Sequence, residues 1–222
     1  MNKDAGTAQL SPLLPGATRT RALRRALRHL RADPAMATLI ARIGAFRLLA
    51  SNDSDLFLTL AHSIIYQQLH GKAAATIFAR VCALFPKSGQ HFTARDITRS
   101  SDDTLRSAGL SRNKLLALRD LAGRVLDGSL PDLATLENYD DEQIIATLTP
   151  VRGIGRWTVE MLLIFRLGRA DVLPIDDFGV RKGFMLAYEL AQMPTPRELK
   201  DYGQRWAPYR SVASWYLWRA AD

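Results

Sequence analysis

The sequence predicts an all-α protein, and three observations carry that prediction. Apolar residues recur at three- and four-residue spacing through most of the chain between Arg19 and Arg219. The segment Thr195-Pro196-Arg197-Glu198 is a capping box with proline at the first helical position, a strong helix-start signal. No convincing strand competes: Val172-Leu173-Pro174-Ile175 is short and holds a proline, so it reads as an extended link.

Taken in order, residues 1–16 contain Gly6, Ser11, Pro12, Pro15 and Gly16 and read as a flexible tail. Arg19 to Arg31 follows, with Leu23, Leu27 and Leu30 at helical spacing among arginines, an amphipathic helix with a basic face. That face suits either plain solvation or a DNA contact. Pro34 opens a helix to Ile43, and Asp53 to Leu69 carries apolar residues on one face at 56, 57, 60, 64, 65 and 69. Gly71 to Leu84 is alanine-rich and helical. Ser111 to Leu126 repeats apolar residues at 115, 118, 121 and 125. Further helices are predicted over Asp141–Leu148, Trp157–Leu167, Phe178–Leu190, from Thr195, and over Ser211–Arg219. There is no internal repeat and no low-complexity tract.

The length of 222 residues suits one domain or two small lobes sharing a chain. Hydrophobic residues make up 47% and charged residues 23%, enough apolar material for a core. A net charge of +8 favours a polyanionic partner, nucleic acid or an acidic membrane surface. The single cysteine, Cys82, cannot form an internal disulfide and reads as a buried small hydrophobe, which points to a reducing compartment. One cysteine also excludes an iron–sulfur cluster, and four scattered histidines give no zinc-ligand pattern. No apolar stretch reaches membrane-spanning length, and the N-terminus lacks a secretory core.

Two segments carry chemistry. In Leu148-Thr149-Pro150-Val151-Arg152-Gly153-Ile154-Gly155-Arg156-Trp157-Thr158 a helix ends in a turn with two glycines and another helix begins at once. Glycine permits positive φ and close approach by another backbone, and a helix start offers N–H groups and a positive dipole end to a phosphate. Arg152 and Arg156 add charge beside it. This is helix-hairpin-helix geometry, a sequence-independent grip on a DNA backbone; an ordinary helix cap and turn would leave the same trace. The second segment, Gly168 to Gly183, holds Asp176 and Asp177 just before a helix. Paired aspartates there commonly serve as caps. One that faces a cleft would also place a fixed negative charge suited to a reaction that develops positive charge on a sugar.

Together these residues resemble the helix-hairpin-helix (HhH-GPD) DNA glycosylase superfamily. The likeness is greatest to its DNA-3-methyladenine glycosylase II (AlkA-like) branch, in the short form without an extra N-terminal domain. It runs over about residues 20–220 and includes Ile64-Ile65-Tyr66-Gln67-Gln68-Leu69-His70-Gly71-Lys72-Ala73-Ala74 and Gly109-Leu110-Ser111-Arg112-Asn113-Lys114, with four motifs in the family's order and spacing. The resemblance implies a two-lobed helical fold with a cleft between the lobes. It further implies one glycosylase domain over 17–222, with the hairpin at about 141–167. By the same resemblance Asp177 is the catalytic carboxylate and Asp176 is mainly structural. Trp157, Trp218, Tyr66 and Met161 line the base pocket, with Met161 standing where some longer relatives have an aromatic. Gln68 is the wedge that fills the gap left by the target base, and His70 probes the minor groove. Arg152, Gly153, Gly155, Arg156, Thr158 and Lys182 bind DNA. The backbone carbonyls of Thr149, Val151 and Ile154 match positions that hold a structural Na+ or K+, and no cofactor is expected for catalysis.

The function so implied is hydrolysis of the N-glycosidic bond of alkylated purines after base flipping. Relatives with lyase activity place a lysine where Trp157 stands, so a monofunctional enzyme that leaves an abasic site is expected. The expected partner is double-stranded DNA containing alkylated bases. The protein is expected to be a monomer, off the membrane, and cytoplasmic, or nuclear in a eukaryote. Three other readings stay open on the residues alone: a non-catalytic helix-hairpin-helix module that binds DNA structure, a bifunctional glycosylase/lyase for oxidised bases, and an unrelated helical regulator.

Overall fold

The computed structural model describes residues 16–48, 55–89 and 91–222. In chain order the helices are α1 (Gly16–Leu30), α2 (Pro34–Ile43), α3 (Leu56–Tyr66), α4 (Gly71–Ala83), α5 (Ala94–Arg99), α6 (Asp102–Ser107), α7 (Arg112–Leu126), α8 (Leu133–Leu136), α9 (Asp141–Leu148), α10 (Arg156–Phe165), α11 (Phe178–Ala187), α12 (Pro196–Gly203) and α13 (Arg210–Ala221). Short 3₁₀ turns lie at Pro86–Ser88 and Gln204–Trp206. No strand forms among the described residues, as the periodicity predicts. Contacts divide the chain into two compact units, one formed by residues up to Ser51 and from Glu160 onward, the other by Asn52–Val159.

Local chemistry sets most helix ends. Asp33, Asp55, Ser111 and Asp140 each accept backbone N–H bonds at the first turn of α2, α3, α7 and α9. Thr195 and Glu198 form the reciprocal capping box expected for α12. Several boundaries differ from the sequence reading, three of them for a clear reason or by a clear margin. Gly16 belongs to α1, not to a tail, and the rest of that tail lies outside the described residues. The helix expected over Asp53–Leu69 starts at Leu56 and stops at Tyr66, because the chain turns extended at Gln67 and left-handed at Gln68 (φ 57°); Asp53 itself lies outside the described residues. The helix expected to reach Leu190 ends at Ala187, where Tyr188 turns to bond Asp33 and Glu189 adopts φ 52°. Helices α5, α6 and α8 have no counterpart in the sequence reading; they are four to six residues long and too short to show a period.

In the unit made of both chain ends, Ala26 and Leu30 of α1, Met36, Leu39 and Ile40 of α2, Val180 and Phe184 of α11, and Val212, Ala213, Tyr216 and Leu217 of α13 form the core. Each fully buried Leu, Ile, Met or Phe there contributes about 1.5–3 kcal/mol. α11 and α13 touch so closely that a Cβ on Gly183 would lie 1.8 Å from the Leu217 carbonyl oxygen. In the 52–159 unit α7 packs against α3, α5 and α6, burying Leu115, Leu118 and Leu121 with Ile64, Ile97 and Leu105.

Candidate active site

Asp177 is held within the first unit by two elements. The link before it runs over 170–175 and is fastened to the start of α13. Arg210 grips Asp171 through Nε–Oδ1 at 2.7 Å and Nη2–Oδ2 at 2.9 Å. Ser211 Oγ donates to the Arg169 carbonyl at 2.7 Å and accepts the Val172 N–H at 2.9 Å. A turn in which the Asp177 N–H donates to the Pro174 carbonyl then delivers Asp177 to the head of α11. There its Oδ1 accepts the Val180 N–H and the Trp218 indole N–H, each at 2.8 Å. Asp177 is thus the cap itself, whereas Asp176 is exposed. Space is tight around it: a Cβ on Gly179 would lie 2.9 Å from Trp218 Cδ1 and 3.2 Å from Asp177 Oδ1.

Trp218 stacks on Phe165 of α10, ring centroids 5.5 Å apart and planes 27° apart. Sequence reasoning missed Phe165, whose role depends on a partner 53 residues away (218 less 165) and leaves no local mark. Met161 is half-buried on α10. Lys182 Nζ donates to the Ala221 carbonyl at 3.1 Å, so in the free protein this lysine caps the end of α13.

The remaining candidates belong to the 52–159 unit. The hairpin is α9, a turn over 149–155 and the start of α10. Gly153 has φ 79°, and a Cβ there would also press on Ala117 at 3.3 Å, so both shape and space require glycine. Gly155 has open space where a Cβ would go. α7 supports the turn from behind: Asp120 Oδ2 accepts the Arg152 N–H at 2.8 Å and also binds Arg124 Nε at 3.0 Å. Arg156, read from the sequence as added positive charge, is paired with Glu142 of α9 through both nitrogens of its fork. Arg152 and Trp157 are exposed, Trp157 by 46%. Thr158 is buried, so its side chain serves the fold and only its backbone N–H remains for a phosphate.

The loop after α3 is tied to this turn. Gln67 Nε2 donates to the Gly153 carbonyl at 2.9 Å and lies 3.4 Å from Thr158 Oγ1. Lys114 Nζ donates to the Ile65 carbonyl at the end of α3, and burial pushes that ammonium below the usual lysine value. Gln67 and Lys114 stand in motifs visible in the sequence, but their tertiary partners do not show there. Gln68, which follows directly after these ties, is exposed and left-handed, a conformation rare for a side chain of its kind. His70 is exposed and caps the N-terminus of α4, its Nδ1 accepting the Lys72 N–H at 3.4 Å; the plainer alternative, a cation at a helix C-terminus, has the wrong end. Tyr66 stacks on His62 at 3.9 Å, and burial raises the Cys82 thiol above its ordinary value.

These features can be set beside known proteins. A 3-methyladenine DNA glycosylase from Schizosaccharomyces pombe, solved in complex with abasic DNA, superposes with a TM-score of 0.80 at 35% identity, covering 88% of this chain and 95% of that one. A DNA-3-methyladenine glycosidase from Bacillus halodurans gives 0.78 at 36% identity, over 87% of each chain. In sequence, DNA-3-methyladenine glycosylase 1 of Schizosaccharomyces pombe is 38% identical over 162 residues, 73% of this chain and 71% of the relative. The family described as HhH-GPD superfamily base excision DNA repair protein matches residues 61–208, which take in the Gln67 loop, the hairpin and Asp177. The chain belongs to the HhH-GPD superfamily of base excision DNA repair proteins.

Proposed function

We propose that this protein is a monofunctional DNA-3-methyladenine glycosylase that hydrolyses the N-glycosidic bond of alkylated purines in duplex DNA. The observation that carries the reading is Asp177, bonded to the Val180 N–H and the Trp218 indole at the head of α11, in a family whose similar members are named for 3-methyladenine removal.

The target base is flipped out of the stack, which costs a few kcal/mol and costs least at a damaged pair. Gln68 fills the gap. His70, with Nδ1 engaged by its cap, has Nε2–H to offer the acceptors of the minor groove. The N–H groups at the start of α10, with Arg152, Gly153, Gly155, Arg156, the Thr158 backbone and Lys182, bind phosphate. Arg156 must exchange Glu142 for phosphate to do so. Thr149, Val151 and Ile154 carbonyls would hold a monovalent cation at the turn. The Val151 carbonyl already accepts the Ile154 N–H at 3.0 Å and keeps a second lone pair for it.

An N3- or N7-alkylated purine is cationic, so it leaves as a neutral base with little general-acid help. The aromatic faces of Trp157, Trp218 and Tyr66 favour such a ring, by about 0.5–2 kcal/mol. As the bond breaks, the sugar gains oxocarbenium character; the Asp177 carboxylate stabilises it and orients the attacking water. A tryptophan at 157 forms no Schiff base, so the strand is left intact at an abasic site. The enzyme acts as a monomer on DNA in the cytoplasm or nucleus, and no described helix is long and apolar enough to cross a membrane.

The test is base release from methylated duplex DNA by wild type and Asp177→Asn. Wild type should release alkylated purines with no borohydride-trapped adduct. The variant should lose release by about 100-fold or more while still binding DNA, the order of magnitude for removing one electrostatic stabiliser of the transition state. Near wild-type release by the variant overturns the assignment of Asp177.

A further inference from the structure

We propose that the arginine face of α1 is a second contact to duplex DNA, separate from the hairpin, that grips phosphates without reading sequence. The proposal rests on the glycosylase reading above. Arg21, Arg24, Arg25 and Arg28 are all exposed, and Arg31, just beyond the helix, is exposed as well. At about 100° per residue the four helical arginines fall within an arc of roughly 100°. The opposite face is spent on the core, with Ala26 and Leu30 fully buried.

No acidic neighbour in the sequence offsets this charge. No Asp or Glu stands between Asp4 and Asp33, and the ion pairs among the described residues involve none of these arginines. Like charges three and four positions apart oppose helix formation. A merely solvated face mixes signs, as α12 does, where Arg197 faces Asp201 across one turn. A one-sign stripe is therefore a feature that solvation does not explain and a polyanion does.

Duplex DNA fits better than a membrane. A helix that binds lipid inserts its apolar face, and here that face is buried inside the protein. The charge is all arginine, whose planar fork matches phosphate oxygens in pairs. From Arg21 to Arg28 the stripe is about 10 Å long, and a duplex carries one charge per about 1.7 Å of axis, so several phosphates lie within reach. Such a contact tightens binding to undamaged and damaged DNA alike and leaves the chemistry at Asp177 untouched.

The test compares two full-length variants with wild type: Arg21→Gln/Arg24→Gln/Arg28→Gln, and a control Arg95→Gln/Arg99→Gln/Arg106→Gln that removes the same charge from exposed positions on α5 and α6. Glutamine keeps helix propensity, and a thermal melt checks folding. Binding to an undamaged duplex is measured across a salt series. The α1 variant should lower the slope of log K against log salt by about 0.9 for each phosphate it no longer neutralises. Single-turnover release from saturating methylated DNA should stay within about twofold of wild type, because the substituted arginines grip backbone and touch no reacting atom. The control should keep more of the slope. A wild-type slope for the α1 variant overturns the proposal. So does an equal reduction in the control, or weaker binding to vesicles rich in anionic lipid with no change on DNA. Absence of base release by wild type would instead fail the glycosylase reading, while α1 is still judged by the slopes.

Discussion

At the scale of single residues, Gln68 is held in a backbone conformation that stability alone would not choose, whereas Asp177 is held by a cap that stability favours. Gln68 occupies the left-handed region at φ 57°, which costs a residue with a Cβ about 1 kcal/mol and costs glycine nothing. Strain of this kind tends to persist where a site needs it. Gln68→Gly should therefore raise the unfolding free energy by about 0.5–1 kcal/mol and slow base release, two effects of opposite benefit. Urea titration and single-turnover release measure them separately. A Gln68→Gly protein with both wild-type release and raised stability would show that the side chain has no task. Asp177 reads from the sequence as either a cap or a catalytic group. The Val180 and Trp218 bonds show that it is the cap and that capping fixes the carboxylate in place, an arrangement compatible with the proposed catalytic role.

At the scale of elements, the hairpin separates the two jobs glycine can do. Gly153 needs positive φ and stands against Ala117, whereas Gly155 meets nothing in the chain. Gly153→Ala should destabilise the protein by about 1–2 kcal/mol, combining backbone strain with the close Ala117 approach; thermal melts measure it. Gly155→Ala should leave thermal stability within about 0.5 kcal/mol, as for a surface change, yet weaken DNA binding, because the added methyl occupies space a phosphate would take. A Gly155→Ala protein that binds DNA like wild type would mean that no backbone approaches this turn so closely. The same turn is tied to the loop after α3 by Gln67 and to α7 by Asp120. The hairpin turn and the loop that carries Gln68 are thereby held in fixed register within one unit.

At the scale of the whole molecule, one buried aspartate joins segments far apart in the chain. Asp33 caps α2 through Oδ1, while its Oδ2 accepts the hydroxyls of Tyr188 at 2.6 Å and Tyr202 at 3.3 Å and the indole N–H of Trp206 at 3.1 Å. Burial alone would push this carboxyl up, but the bonds from Tyr188, Trp206, the Met36 N–H and Tyr202 together hold it below its ordinary value. The same arrangement, with burial first, drives the Tyr188 hydroxyl far above its usual range. A carboxyl whose folded value is depressed stabilises the protein above its unfolded value of about 3.9, and that contribution disappears as pH falls through the lower folded value. Asp33→Asn should therefore cost about 3 kcal/mol at neutral pH, on the scale of buried donors left poorly paired. The gap to wild type should shrink below about pH 4. Thermal melts of both proteins from neutral pH down to about pH 3 check this. A gap that stays constant across the range would remove Asp33 as the source of the acid sensitivity.

The sequence by itself determined the all-helical class, the starts of α2, α7, α9 and α12, and the hairpin. Each of these is written in contiguous residues: apolar spacing, a capping side chain, or two glycines between helices. The motifs quoted for the family likewise supply Asp177, Gln68 and the hairpin residues as the proposed site. Tertiary structure decided the rest. It ended α3 at Tyr66, turned His70 into an N-cap, paired Arg156 with Glu142, and set Phe165 behind Trp218. It also joined Asp33 to Trp206 across 173 positions. None of these has a local signature, because each depends on which side chains the packed helices bring within hydrogen-bonding or stacking distance, and that is fixed only when the cores of the two units form.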